Sequence, residues 1–558
     1  MGDGKGAGDR AQMWNGPGES FPQDASVTVK CDVVRFVLSL LAVVLSSLCG
    51  PVLAQSAAVR FAEIQVVDNA SGRGIPLVTL TTVDDQQWVT DNLGRVVVED
   101  GELLGQQVFF KVTSPGYEVA KDGFGIAGVR LQLAAGSSHV VQIERTQVAE
   151  RLYRVTGRGR FGHSERAGKS VAAGEQGIRG QVVGQDSVQT AVFGGRMHWF
   201  WGDTNRISYP LGLFRTAGAV SELPAAGQWQ PEQGVPLQYF TREDGFVRAM
   251  VDVPEREGVV WIQGVCTVLD VDGEERMVCQ YSRRRGLADP LEQGHLIWNS
   301  DRELFEVFEQ IDLSEQWRQL GEHPLRVSAA DVADAAGTEW LCFGRPFPVV
   351  RVPATLAAVR DRRAYESWTC IDPQSDAERP RPLRTAGGGL DYAWRKLPPV
   401  TQQLERRWLR DGLIQESELR LLPQAAGTNG ERVLFHAGTV YFNSHRGRWI
   451  LIGNEQATTR DADSYLGEVY YSEAETAQGP FRTAVRIATH PGQSFYNPCQ
   501  HPEFDGRGGR EVYFEGTYTN MFTQSPATPL YNYNQLMYRL DLDAEQIRSV
   551  FGEPAVRP

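Results

Sequence analysis

The sequence predicts an all-β protein: a small N-terminal β-sandwich followed by a five-bladed β-propeller with helical insertions. Two patterns lead there. Residues 59–147 carry short alternating runs separated by Gly, Asn and Asp turns, the spacing of a small antiparallel sandwich. From about 152 to 545 the chain changes to blocks of two to four strands rich in Trp, Tyr and Phe, near 178–203, 243–285, 338–370, 432–472 and 481–540. Regular β blocks of this kind describe propeller blades. The expected division is 1–54 for an N-terminal extension and signal peptide, 55–150 for the sandwich and 151–558 for the propeller.

Composition sets the outer bounds. The chain has 558 residues, 41% of them hydrophobic and 10% aromatic, enough for several packed domains. With 56 basic against 69 acidic residues its net charge is −13, which argues against binding nucleic acid through phosphate neutralisation. Phe36 to Leu48 is an apolar run, preceded by Lys30 and Arg35 and followed by Val52-Leu53-Ala54. It is short for a membrane span and reads as a secretory signal peptide cleaved after Ala54, leaving no stable span in a secreted or periplasmic protein. The thirty residues before it match no targeting element, and a start nearer Val34 fits the pattern.

Within the sandwich segment the runs are Val59 to Val67, Leu77 to Thr81, Gln107 to Val112, Val129 to Leu133 and His139 to Ile143. The interruptions in the propeller segment have helical spacing: Ser300 is placed to cap a helix over Arg302 to Gln310, and Gln402 to Arg410 is a second. Cys266 and Cys279 flank a hairpin. With Asp272-Gly273 as a two-residue turn they face each other, which permits a cross-strand disulfide in an oxidising compartment; two buried thiols are the alternative. No CxxC pair suggests structural zinc, Asp461-Ala-Asp463 lacks the spacing of a calcium loop, and neither a GxSxG elbow nor an HExxH motif occurs.

The chemistry concentrates in Gly184 to Thr204. Gly194-Gly195 is a two-residue turn between apolar runs, and pairing outward from it sets Asp186 opposite Asp203 at a non-hydrogen-bonded position, with Cβ atoms roughly 4.5–5.5 Å apart. Like charges facing each other destabilise a ladder, so the pair calls for an explanation. Two carboxyl groups about 5–5.5 Å apart suit a retaining glycosidase; the competing explanation is two turn-capping aspartates. Farther on, Glu515 stands inside an apolar strand, where an acid is costly unless paired or functional. Asn497 and His501 are candidates to hold sugar hydroxyls, His501 being equally readable as a satisfied core histidine. Tyr496, Tyr518 and Trp201 are candidates to stack on sugar faces.

Three stretches resemble known families. Val67 to Pro76, Thr90 to Arg95 and Ser114 to Tyr117 resemble the turns of carboxypeptidase-regulatory-like, transthyretin-type sandwiches, which implies a non-catalytic spacer or adhesion module. Met197-His-Trp-Phe-Trp-Gly-Asp-Thr204 resembles the signature of propeller domains that include endo-D-arabinanases. Ser464 to Ala474 with Gly479-Pro-Phe481 is similar to a blade edge of arabinanase and xylosidase five-bladed propellers. The resemblance implies a secreted glycoside hydrolase acting on a furanose- or pyranose-containing polysaccharide, with Asp186 and Asp203 as its acidic pair and Glu515 as an alternative acid. No cofactor is expected, and a structural cation in the propeller channel stays open. The rival expectation is a non-catalytic carbohydrate-binding or surface-scaffold propeller.

Overall fold

The computed structural model describes residues 60–171, 177–213, 215–225, 229–254, 257–328, 337–458 and 464–554. The expected signal segment, its cleavage site at Ala54 and the Asp461–Asp463 stretch lie outside them.

Residues 60–145 form two four-stranded sheets. One runs in the order Arg95–Val98, Ala62–Asp68, Ser138–Arg145, Tyr117–Glu118; the other in the order Gln87–Val89, Thr79–Thr81, Gln107–Thr113, Gly128–Gln132. Alternation sets the inner faces: Val108, Phe110 and Val112 turn inward from one strand and join Ile64, Val66, Leu80 and Val96 in a single core. The expected all-antiparallel pattern is corrected at one place, since Ala62–Asp68 and Ser138–Arg145 pair in parallel. The turn at Asp91 explains one glycine. Asp91 Oδ1 accepts the N–H groups of Leu93 and Arg95, at 3.0 and 3.2 Å, and folds the chain so that a Cβ on Gly94 would lie 2.4 Å from the Val66 carbonyl oxygen.

Six further sheets follow: a small one of Val182–Gln185, Thr204–Arg206 and Tyr209–Leu213, and five that are each one blade. Blade one is Gln189–Phe193, Arg196–Trp201, Ala217–Glu222 and Gln238–Tyr239. Blade two is built from Val259–Leu269, Glu275–Arg285, Asp289–Asn299 and Leu304–Ile311, with Val251–Asp252 on its outer edge. Blade three runs from Leu325–Val327 to Ala393–Arg395. Blade four contains Phe435–Asn443, Arg448–Glu455, Val469–Ala474 and Thr483–Ala488, edged by Gln424–Ala425. Blade five is Ser494–Gln500, Glu511–Thr519 and Asn534–Asp541, and its outer strand is Glu150–Arg154 from the beginning of the propeller segment.

The apolar clusters show the ring closing. Phe200 with Tyr281 and Trp298 joins blades one and two, and Val278 with Val352 joins two and three. Phe347 with Phe435 and Phe481 joins three and four, while Ile452 with Phe514 and Tyr538 joins four and five. Leu152, Trp199, Tyr513 and Met537 join five back to one. Each interface thus has its own core, so burial is distributed around the ring. The closing strand is also gripped by the sandwich: Asn92 donates from its amide to the Arg154 carbonyl oxygen and accepts the Arg154 N–H, at 3.0 and 2.9 Å.

Two local expectations are corrected. Arg302 to Gln310 is no helix; Leu304–Ile311 is the fourth strand of blade two, because Phe305 and Val307 alternate and the preceding strand offers an antiparallel ladder that shifts register once, between His295 and Leu296. Cys266 and Cys279 do not face each other. The connection is a three-residue loop, with Asp270 and Glu274 closing it and Gly273 at φ 80, so Cys266 pairs with Val278. That one-residue slip sends the two thiols to opposite faces, into the clusters of different blade interfaces, and both are free. The helix over Gln402–Arg410 forms as expected, with Thr401 Oγ1 accepting the Leu404 N–H at 3.2 Å.

Candidate active site

The first hairpin positions the acids. Gly194 and Gly195 adopt φ of 58 and 74, as a two-residue hairpin turn requires, and the ladder runs from Phe193 opposite Arg196 to Gln189 opposite Phe200. The same register returns beyond a gap, where Gln185 faces Thr204. Within the gap Ser187 takes a φ of 54 and the strands part, bridged by the Gly202 N–H donating to the Asp186 carbonyl oxygen at 2.8 Å. Asp186 and Asp203 stand opposite each other there. The carboxyl of Asp186 folds back over the partner strand: its Oδ1 accepts the Asp203 N–H at 3.0 Å, and a Cβ on Gly202 would lie 2.4 Å from that oxygen. Only glycine at 202 leaves room for it.

The two acids have different surroundings. Asp186 Oδ2 accepts the Tyr496 hydroxyl at 2.8 Å, and the Tyr533 hydroxyl also bonds to Asp186. Asp203 accepts one N–H, from Trp261 Nε1 to Oδ1 at 2.9 Å. Burial raises the pKa of Asp186 against the pull of these donors. Asp203 is pushed up to about 7, first by burial and then by the charge of Asp186 beside it. Asp186, with more donors, therefore ionises first, and Asp203 holds its proton toward neutral pH.

Both acids line a cavity of about 990 Å³ formed by loops of all five blades. Tyr496 and Asn497 line it too; Asn497 donates from Nδ2 to Ser187 Oγ at 2.8 Å, while its buried Oδ1 has no protein partner. The other candidates lie elsewhere. Trp201 is buried against Trp199, at 6.3 Å between ring centroids, because residues 197, 199 and 201 of its strand face the core between blades five and one. Tyr518 is buried and bonded through its hydroxyl to Thr528 Oγ1. Glu515 and His501 are both fully buried and bond each other, His501 Nε2 to Glu515 Oε1 at 2.9 Å, with His501 packed 5.0 Å from the Trp199 ring. Neither lines the cavity, so in place of the alternative acid and the sugar-holding histidine stands a hydrogen-bonded pair in the core.

The cavity also holds residues that the sequence did not single out. Glu322 is a third carboxylate there, in a left-handed backbone conformation (φ 50). Arg345 reaches Glu322 Oε1 at 3.4 Å and donates to the backbone oxygen and Nε2 of His436, at 2.8 and 2.9 Å. Burial and the Arg345 charge lower the His436 pKa to about 4, so its ring is neutral and accepts that bond. Trp261 and Tyr533 complete the surroundings of the acid pair. Of these, only the Gly344-Arg345-Pro346 turn carries a local mark in the sequence. Among the described residues no cluster of His, Cys, Asp and Glu has the arrangement of a metal site, and no helix is long and apolar enough to cross a membrane.

No family model and no curated protein matches the chain. Solved structures do. An exo-1,5-alpha-L-arabinanase from a bovine ruminal metagenomic library is 10% identical over 64% of this chain and 94% of its own, with a TM-score of 0.31. The GH43_1 enzyme from Xanthomonas citri, complexed with xylotriose, is 12% identical over 64% and 86%, with a TM-score of 0.31. An endo-arabinase from Bacteroides thetaiotaomicron VPI-5482 is 9% identical over 65% and 97%, with a TM-score of 0.30. At such scores the chemistry rests on the side chains of this chain alone.

Proposed function

We propose that the protein is a glycoside hydrolase acting on an oligosaccharide or polysaccharide, exported by the segment ending at Ala54. The observation that carries this reading is the pair itself: two carboxyl groups from one hairpin, open to one cavity, with environments that push their proton affinities apart. Asp203, protonated up to about pH 7, gives its proton to the glycosidic oxygen as the bond from that oxygen to the anomeric carbon breaks. Asp186, kept ionised by Tyr496, Tyr533 and the Asp203 N–H, offsets the positive charge that develops on the sugar. Direct attack by Asp186 gives retention and activation of a water gives inversion, so the first-formed anomer, read by NMR, assigns its role.

The test is Asp203→Asn in the full chain against a panel of plant and microbial polysaccharides, with reducing ends as the readout. Native protein is expected to release sugar and the variant to release at least a hundredfold less while keeping its circular dichroism. Equal release by the two would leave a carbohydrate-binding propeller, in which Asp186 and Asp203 merely close the first blade.

A further inference from the structure

The loop between the second and third strands of blade five leads Phe522 to the cavity wall in an unusual way. Phe522 adopts a φ of 65, a region that bulky side chains avoid, and its side chain is left 52% exposed beside Met521, itself 44% exposed. The loop is bolted in this shape. Ser494 Oγ donates to the Met521 carbonyl oxygen at 2.7 Å, the Asn520 N–H donates to Asn532 Oδ1 at 2.8 Å, and Asn520 Nδ2 donates to the Ser525 carbonyl oxygen at 3.1 Å. The Phe522 ring stands edge-on to Tyr496, with centroids 6.3 Å apart, and Tyr496 holds Asp186. An exposed aromatic face thus lies one ring away from the acid pair. Asn497, on the same wall, supplies the complementary polar group, a buried acceptor without a partner.

From this juxtaposition, and resting on the glycosidase reading above, we propose that Phe522 and Asn497 form a subsite for one neutral sugar unit beside the acid pair. Phe522 stacks against the apolar C–H face of the ring, and Asn497 Oδ1 accepts a hydrogen bond from one of its hydroxyls. Charge selects the neutral class. Asp186 and Glu322 bring carboxylates to the cavity, Asp203 adding no charge while it holds its proton, and Arg345, which would otherwise attract a uronate, is already engaged by Glu322 and by two groups of His436.

The experiment uses the full chain carrying Asp203→Asn, so that binding is read without turnover. The probes are linear arabino- and xylo-oligosaccharides of about three to six units and oligogalacturonates of the same lengths, titrated by calorimetry. The expected result is binding of a neutral series with little affinity for the uronates. Adding Phe522→Ala should raise Kd roughly tenfold and Asn497→Ala several-fold, while Phe522→Tyr should stay near the parent value. A Phe522→Ala variant that binds within twofold of its parent overturns the subsite and leaves the hydrolase standing, as does preferential binding of the uronates. If the parent binds none of the sugars and the native protein cleaves none of the panel, the glycosidase reading falls and takes the subsite with it.

Discussion

Two acids of this propeller were candidates in the sequence, Asp203 in the expected pair and Glu515 as the alternative, and they ended in opposite situations. Asp203 lies just past the strand Arg196–Trp201 of blade one and faces another carboxyl across a parted ladder, open to a cavity. Glu515 lies in the middle of a blade-five strand and faces a histidine, with both side chains at 0% exposure. An acid set beside a base in a closed core is already compensated and has no access to a ligand. An acid set beside another acid at a cavity is uncompensated, and its proton becomes available near neutral pH. What faces a carboxyl, more than its own burial, separates a group that can do chemistry from one that holds blades together.

The contrast can be broken most severely at its two ends. Asp203→Asn is expected to lower turnover by about 10²–10⁴-fold with the fold intact, the range for a lost general acid; an unchanged rate on any cleaved polysaccharide would end the catalytic assignment. Glu515→Ala should do the reverse, costing about 3–5 kcal/mol of stability in urea melts because a buried partner is left alone, while the molecules that stay folded keep their turnover.

Next in size is the effect of pH. The Asp203 pKa is about 7 in the fold, against an ordinary value of 3.8 in the unfolded chain. Below about pH 4 both states carry the proton and stability is undiminished. Between about 4 and 7 the unfolded chain releases it and the fold does not, so stability is lost as pH rises through 7, by up to about 2–4 kcal/mol. Asp203→Asn should abolish that loss, measured as the difference between melts at pH 5 and pH 8. In the native protein, the proposed glycosidase activity should decline above pH 7 as the acid ionises. A smaller change sharpens the picture: Trp261→Phe removes the one N–H that favours the ionised form of Asp203, so the alkaline limb should move to higher pH by less than about one unit. A limb that moves down, or stays, would mean that another group titrates there. The smallest effect is expected from reductant. With Cys266 and Cys279 on opposite faces, dithiothreitol should leave the melting temperature unchanged.

The hairpins explain what sequence could and could not supply. Gly194-Gly195 is a turn whose length fixes the register, so Asp186 opposite Asp203 followed from counting. Asp270 to Glu274 closes three residues instead of two, and the same counting missed by one, enough to misplace Cys266. For Glu515 the strand showed an acid among apolar neighbours but not its partner, which the neighbouring strand's end supplies. Trp201 was ambiguous because alternation names two faces and not which of them meets the core. Glu322 and Arg345 come from separate loops and meet only because the ring curves them together.

The outer strand of blade five has a consequence for how the protein is made. Glu150–Arg154 is synthesised before any other part of the ring, yet its partner is the last strand of the propeller, and the bond from Thr156 to Asn534 joins residues 378 positions apart. At roughly 5–20 residues per second the ribosome needs on the order of 20–80 s to deliver the partner. Throughout that interval four blades and part of a fifth can assemble, but the ring has two open faces. Asn92, which clasps Arg154 from the sandwich, can act from the moment both are made. The sandwich is thereby positioned as a holder that keeps an unpaired edge strand from mispairing until the end of the chain arrives.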